Sequence, residues 1–347
     1  MAPFITIIVP VRNEERHLAA TLRPLFEQDY PPDRFEILVI DGRSTDGTRA
    51  VVEQLQADRP DLRLLDNPRR LSSAARNIGV RHARGEYLVI IDGHCELRSL
   101  TYLSDLARAF EESGADCLGR PQPLDIRDAG PLQRAIAIAR ASRLGHNPGS
   151  HIYSDRGGYV KPQSVAVAYR RSVFDRVGLF DERFDACEDV EFNHRVDAAG
   201  LTCYFAPELA VHYRPRDTLG GLAWQMCRYG RGRARLLLKH PETLSVPPLV
   251  PALWLLGLAV AFALGLVAPP FAAVFCLTAL AYVAVTSLAA ACLAVGRGAA
   301  PLAPLLPGAF LAIHVGAGWG VLAELGPTAA RGLFGRLRPV AKTLRGA

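Results

Sequence analysis

The sequence predicts an α/β protein, a mostly parallel sheet in the first two thirds of the chain followed by membrane-spanning helices. Three observations carry this. Short β-branched runs alternate with amphipathic stretches over the first 120 residues, charges crowd the first 240 positions, and long uncharged apolar stretches follow. Alternation of that kind builds parallel sheets covered by helices, and the change in composition means that the two parts of the chain meet different solvents.

The strands come first. FITIIVP (4–10), FEILVI (35–40), LRLLD (62–66) and YLVIID (87–92) are nearly continuous in hydrophobicity, which suits strands covered on both faces. Helices are expected between them near 15–27, 48–57 and 72–83. Further along, a strand leads to Tyr169, a helix starts near Arg171, and FDERF turns the chain toward a helix holding Glu188, Asp189, Glu191 and Arg195.

Ligands of open parallel sheets sit beyond the carboxyl ends of the strands. Those positions read Val11-Arg12-Asn13-Glu14, Asp41-Gly42-Arg43-Ser44-Thr45-Asp46-Gly47 and Asp92-Gly93-His94. Ser44 and Asp46 equally suit capping of the next helix, whereas Asp41 and Asp92 both end a strand before a glycine. A carboxylate and an imidazole closing a buried run call for a partner, because an uncompensated polar group there costs about 2–7 kcal/mol. No GxGxxG follows the first strand and no GxxxxGK[ST] occurs, so the usual backbone devices for phosphate are missing. A divalent cation shared by a carboxylate and a diphosphate would replace them, and a nitrogen ligand such as His94 makes manganese competitive with magnesium. In the later cluster Glu191 and Arg195 are spaced to pair on one helix face. Glu188 and Asp189 stand at the helix start, where the dipole favours ionised carboxylates able to take a proton from an attacking hydroxyl.

The net charge is +6, but the basic residues flank apolar segments: Arg228, Arg231, Arg233, Arg235 and Lys239 before them, Arg331, Arg336, Arg338, Lys342 and Arg345 after. Such flanks favour the cytoplasmic side and anionic headgroups, and no nucleic-acid partner is expected. The seven cysteines are scattered without a CxxC pair, as reduced structural thiols are, and no zinc site is expected. The amino-terminal MAPFITIIVPVRNEE lacks a basic leader and a long apolar core, so the first part is expected to stay in the cytosol.

Uncharged stretches at 249–268 and 271–295 match the roughly 20 residues a bilayer requires. A third, 302–325, has early prolines and carries His314 and Glu324. Three crossings are expected; two crossings with a re-entrant third segment would return the basic tail to the cytosol, and both topologies stay open. The 217–240 stretch places Leu219, Leu222, Ala223, Met226 and Tyr229 near helical spacing with arginines elsewhere, which suits a membrane interface or an ordinary packing helix. The resulting division is 1–216 for the sheet domain, 217–245 for a basic interfacial segment, 246–326 for two to three spans and 327–347 for a basic tail.

VPVRNEE, VIDGRSTDGT, SSAARNIGVRHARGEYLVIIDGH, YRRSVFDRVGLFDE and EDVEFNHR, in that order over about two thirds of the chain, resemble family 2 glycosyltransferases of the nucleotide-sugar-binding GT-A fold. The likeness is strongest to the membrane-linked, succinoglycan-type glucosyltransferases of bacterial exopolysaccharide assembly. The resemblance implies that Pro10, Val11, Asn13 and Glu14 line the nucleoside pocket, that Asp41 faces the base, and that Arg76 and Asn77 lie near the ribose and diphosphate. Asp92 matches the first acid of the family's DxD signature, with Gly93 beside it in the donor site. His94 replaces the second acid, as in the succinoglycan-like branch, so Asp92 and His94 are the metal residues for Mn2+ or Mg2+. Asp189 matches the catalytic base of the ED motif, with Glu188 on the acceptor side. Gln225, Arg228 and Tyr229 in QMCRY resemble the QxxRW element at the acceptor and product end, with tyrosine for tryptophan.

The implied activity is inverting transfer of a hexose from a nucleotide sugar such as UDP-glucose to a lipid-linked glycan, by a multi-pass inner-membrane protein with a cytoplasmic catalytic domain. A processive polysaccharide synthase is one alternative, favoured by QMCRY and disfavoured by the few spans. A catalytically silent, nucleotide-sugar-binding membrane scaffold is another, against which the intact Glu188-Asp189 pair argues.

Overall fold

A computed structural model of the chain describes residues 1–57, 59–146 and 150–343, with side chains as far as Gly326 except that of Ser164. The chain forms two compact units. The first opens with β1 (Ile5–Val11), α1 (Leu18–Phe26), β2 (Phe35–Asp41), α2 (Thr48–Gln56), β3 (Leu62–Asp66), α3 (Ser72–His82), β4 (Tyr87–Ile90), β5 (Cys95–Leu97), α4 (Tyr102–Ser113) and β6 (Cys117–Gly119). The chain then leaves it for α5 (Pro131–Arg140), a member of the second unit. It returns with β7 (Gly158–Val160), β8 (Ala166–Arg170), α6 (Arg171–Val177), α7 (Glu188–Ala198), β9 (Cys203–Phe205) and β10 (Val211–Tyr213).

The four expected strands form the parallel run β3-β2-β1-β4 of an eight-stranded sheet continued by β8-β6-β9-β7. β1 is central, pairing Ile5 with Phe35 on one side and with Tyr87 on the other. Its successive side chains enter opposite layers, as strand geometry requires. Ile7 and Val9 pack with Leu18, Leu22, Tyr102 and Phe110, while Ile8 packs with Ala75, Val80, Phe192 and Val196. Burial on both faces is why the strand sequence does not alternate.

β8 runs antiparallel to both β4 and β6, so β6 points the same way as β4 and their carboxyl ends share one edge with those of β1 to β3. The expected helix at 15–27 starts later, at Leu18. The N–H groups of Glu14 and Glu15 donate instead to the side chains of Thr48 at the start of α2 and Asp46 in the loop before it. α3 lies almost in contact with the β1 backbone: a methyl carbon at Gly79 would sit 2.5 Å from Ile8 Cγ2.

The second unit contains α5, α8 (Leu219–Lys239), α9 (Val250–Gly265), α10 (Pro269–Gly296) and α11 (Leu306–Thr343). Residues from Asp128 through α5, inside the 1–216 segment on sequence grounds, thus group with the C-terminal helices. α10 and the Ala300–Gly326 segment are long and apolar enough to cross a membrane, the first almost wholly unburied and the second half buried. The first expected span, 249–268, does not reach that length. Its helix has 16 residues, about 24 Å at 1.5 Å per residue, because Ala268 is extended before Pro269, as residues preceding proline tend to be. Side chains of the basic tail, 327–347, lie outside the described residues.

α8 packs on α11 backbone to backbone. Methyl carbons at Gly316 and Gly320 would fall on the carbonyls of Ala223 and Cys227, and one at Gly230 on that of Ala317; small residues permit such close approach. The buried side of α8 carries Leu222, Gln225, Met226 and Cys227, leaving Trp224 and Tyr229 exposed. His314 and Glu324 are satisfied within the unit. His314 Nε2 lies 2.8 Å from the Leu144 carbonyl, which can only accept, so in the neutral ring Nδ1 accepts a hydrogen bond from the Tyr282 hydroxyl at 2.9 Å. Glu324 receives two hydrogen bonds from Arg235 at 2.8 and 3.2 Å.

Overpacking at the α3–β1 contact carries a cost of about 1–3 kcal/mol. Gly79→Ala is therefore expected to lower the denaturant midpoint of the purified protein, and its combination with Ile8→Ala to cost less than the two single losses added. Strict additivity would contradict the contact.

Candidate active site

The site is built at the carboxyl edge of β1, β2 and β4. Loops after β1 and β2 are laced together: the Asn13 N–H donates to Ser44 Oγ at 2.8 Å, and Asn13 Oδ1 accepts from the Thr45 N–H at 2.8 Å. Asp41 is wholly buried and accepts from the Ser44 N–H at 3.2 Å, from the Ser44 hydroxyl and from Arg49 at 3.0 Å. Asp46 accepts from the Thr48 N–H at 3.1 Å, the capping role open to it in the sequence. Pro10 and Val11 close the strand beneath these loops, Pro10 partly exposed and Val11 buried.

Four non-glycine residues among those described have left-handed φ: Asn13 at 57°, Arg43 at 54°, Arg70 at 60° and Cys187 at 60°. Three follow β1, β2 and β3 and the fourth precedes α7. Such conformations cost on the order of 1–3 kcal/mol each and collect where a surrounding site enforces them.

β4 delivers Asp92-Gly93-His94 onto this edge. A methyl carbon at Gly93 would lie 2.6 Å from Val11 Cγ1, so only glycine lets the turn rest on the end of β1. The Thr21 hydroxyl anchors it from α1, donating to the Gly93 carbonyl at 2.9 Å. His94 Nδ1 is 2.9 Å from Glu14 Oε1, and its ring stands edge-on to Tyr213 with centroids 5.1 Å apart. The Glu14 carboxylate, expected against a nucleoside, is thus engaged with His94. A carboxylate on one ring nitrogen fixes the orientation and tautomer of an imidazole.

Arg76 joins the two acidic clusters. Its Nη2 is 3.7 Å from Asp92 Oδ1 and 3.3 Å from Glu188 Oε1, and the residue is 9% exposed. Burial works against its charge, but the carboxylates of Glu188, Asp92 and Asp189 together hold the guanidinium above its ordinary pKa. The strand-end acid and the helix-start acids therefore face one cation. Glu188 is 5% exposed, and burial pushes its pKa up, opposed by Arg76 and reinforced by Asp189. Asp189 is half-buried and accepts from the Val190 N–H at 2.8 Å.

Other charges of α7 are structural. Arg195 pairs with Glu191 at 2.9 and 3.0 Å and binds the carbonyls of Val177 and Leu179. Asn77, expected near the ribose and diphosphate, is buried; it donates to the Phe180 carbonyl and to Glu182 and accepts from the Phe180 N–H, each at 2.9 Å. Its amide holds the turn before α7. Gln225, Arg228 and Tyr229 share one side of α8 in the second unit, where Gln225 accepts from Arg140 at 3.1 Å and donates to the Tyr229 hydroxyl at 3.4 Å. Sequence reasoning missed Arg49, the ion-pair partner of Asp41, and Ser72, whose side chain opposes the rise in the Glu188 pKa. Ser72 was visible only as the first residue of a helix.

A parallel β3-β2-β1-β4 nucleus, antiparallel β8 inserted before β6, and an Asp-Gly-His strand end facing a second acid pair define a GT-A glycosyltransferase acting on a nucleotide sugar. The chain belongs to glycosyltransferase family 2. The family model "Glycosyl transferase family 2" matches residues 6–178, and "Glycosyl transferase family group 2" matches residues 102–300. Succinoglycan biosynthesis protein ExoA of Rhizobium meliloti (strain 1021) is 33% identical over 67% of this chain and 70% of its own length. A Methanococcus voltae enzyme, the dolichyl N-acetyl-alpha-D-glucosaminyl phosphate 3-beta-D-2,3-diacetamido-2,3-dideoxy-beta-D-glucuronosyltransferase, is 25% identical over 68% of this chain and 74% of its own. Among solved structures, the mannosyltransferase PcManGT of Pyrobaculum calidifontis, in complex with GDP-Man and Mn2+, superposes with a TM-score of 0.54. It is 23% identical, with 90% of this chain and 87% of that one covered, and this likeness speaks for the fold.

The raised pKa of Glu188 has a signed consequence. A carboxyl whose folded pKa exceeds its unfolded one contributes stability that is full below the unfolded value, about 4.3, and is lost as pH rises through the folded value. Glu188→Gln, which mimics the protonated form, should gain thermal stability relative to the parent as pH is raised from about 4 to 7. A gap between the two melting midpoints that stays flat across this range would refute the shift.

Proposed function

We propose that the protein transfers a hexose, with inversion, from a nucleotide sugar such as UDP-glucose to a lipid-linked glycan acceptor. The observation that carries this reading is the Arg76 bridge between Asp92 and Glu188, the neighbour of Asp189. It brings a donor-side acid and an acceptor-side acid to one place within the first unit.

Residues at the strand end fit a divalent cation. Asp92 is partly exposed with one oxygen turned toward Arg76, and His94 is oriented by Glu14, a carboxylate oxygen and an imidazole nitrogen of the kind that magnesium and manganese accept. Asp92 and His94 would hold the ion, Mn2+ or Mg2+, and when bound it would supply Lewis-acid stabilisation of the departing diphosphate. Arg76 adds a fixed positive charge where negative charge builds on the leaving oxygen. Asp189 takes the proton of the acceptor hydroxyl as that oxygen bonds to the anomeric carbon and the carbon–oxygen bond to the diphosphate breaks. Base catalysis of this kind contributes about 10² to 10⁴ in rate. One base opposite one leaving group is a single displacement, so an α-linked donor yields a β-linked product.

The second unit supports attachment to a membrane. It offers α10 and α11, exposed Trp224 and Tyr229 on α8 and exposed Trp319 on α11, aromatic residues of the kind that favour the headgroup level. A multi-pass arrangement with the first unit on the cytoplasmic side suits a donor made in the cytosol and an acceptor carried by lipid. The M. voltae enzyme is named for a dolichyl phosphate sugar as its substrate, which supports a lipid-linked acceptor, and ExoA is named for succinoglycan biosynthesis, which supports a glycan-assembly role.

Asp189→Asn is expected to reduce transfer in washed membranes by at least about 10³ while leaving donor affinity within a few-fold; undiminished turnover would remove Asp189 as the base. Asp92→Ala should weaken nucleotide-sugar binding in the presence of manganese, read by calorimetry. An equal affinity in both proteins would displace the cation from this strand end. Product analysis by NMR then decides between a β and an α linkage, and absence of turnover with every common donor would leave a binding scaffold.

A further inference from the structure

Arg120 directly follows β6, at the carboxyl-end edge shared with β4. Leu118 points into the core layer that holds Cys95, Leu97 and Tyr102, and alternation along the strand carries Arg120 to that face two residues later. The register irregularity beside it falls on β8, where Gly119 pairs with Ala166 and Val167 is passed over; bulges of this kind are frequent beside active sites. Gly119 itself has no room for a side chain, since a methyl carbon there would lie 2.4 Å from Val165 Cγ2.

The guanidinium is 5% exposed and has no carboxylate within 4.0 Å among the described residues. Its Nη2 donates to the carbonyl of Ile90, the last residue of β4, at 3.3 Å, while Nε and Nη1 are buried without a partner. Arg76, comparably buried, faces three acids. The Ile90 carbonyl that Arg120 binds lies two residues before Asp92, so the guanidinium stands beside the Asp92 turn. A buried ion without a counter-ion costs several kcal/mol, and arginine at such positions meets phosphate or carboxylate oxygens in charge-assisted hydrogen bonds.

We propose that Arg120 is a phosphoryl-binding residue of the transfer site, its unpartnered N–H groups completed by an anionic phosphate oxygen at the β4–β6 edge. This rests on the donor and acceptor reading above, which leaves two sources for the phosphate: the diphosphate of the nucleotide sugar and the phosphate of a lipid carrier.

Calorimetry with inorganic pyrophosphate and Mn2+ on the full chain in detergent separates them. Arg120→Met should weaken pyrophosphate binding at least tenfold, and Arg120→Lys less, with the melting midpoint of the methionine variant level with or above the parent because a buried charge has gone. Unchanged pyrophosphate binding with a tenfold rise in KM for a polyprenyl-diphosphate-linked sugar, donor KM constant, assigns the phosphate to the acceptor. The proposal is overturned if neither quantity moves in Arg120→Met, or if both variants lose binding together with their melting transition. A parent protein that binds no pyrophosphate overturns the donor-site reading along with it, a result distinct from a failure confined to the variants.

Discussion

One buried arginine holds the candidate site together. Arg76 reaches Asp92 at the end of β4 and Glu188 at the start of α7, two carboxylates that would repel each other across the site without it. Its placement depends on α3 lying tight against β1, which Gly79 permits. The adjacent Asn77 fastens the turn before α7 to the same helix. α3 thus sets the separation of the two acid clusters twice over, once by charge and once by backbone hydrogen bonds.

The paired acids at the start of α7 are distinguished by environment. Glu188 is sealed against Arg76 and Ser72, and burial favours its neutral form, while Asp189 is half-buried and accepts from the Val190 N–H. Adjacent carboxyl groups in unlike surroundings can divide acid and base duties that two equivalent groups could not. Cys187, just before them, is left-handed, so the backbone enters α7 at a sharp angle and aims both side chains from a single turn.

Much of this was legible in the sequence. β1 to β4 and α2 and α3 were readable because two-sided burial leaves uninterrupted apolar runs and amphipathic helices leave periodic ones. Asp41, Asp92 and His94 stood out as polar residues ending such runs. The partners of these residues were not legible, since Glu14 meets His94 across 80 positions and Arg49 meets Asp41 from the next helix. Nor was the departure of residues from Asp128 through α5 to the second unit, which depends on tertiary packing alone. Gly119-Arg120 obeys the rule that singled out Asp41 and Asp92, a charge at a strand end, but β6 has only three residues and its run is too short to read as a strand. In the 249–268 stretch the absence of charge did not reveal where the helix stops: it ends at Gly265, and Ala268 is extended before Pro269.

The glycine seam between α8 and α11 has a mechanical consequence. Where main chains touch without intervening side chains no rotamer can relax, and a slip of one residue would drive a Cβ into a carbonyl. α8 therefore takes both its axial position and its rotation from α11. Trp224 and Tyr229, carried on α8, are exposed and set at one fixed height along α11, so the seam works as a gauge that fixes where these aromatic side chains stand.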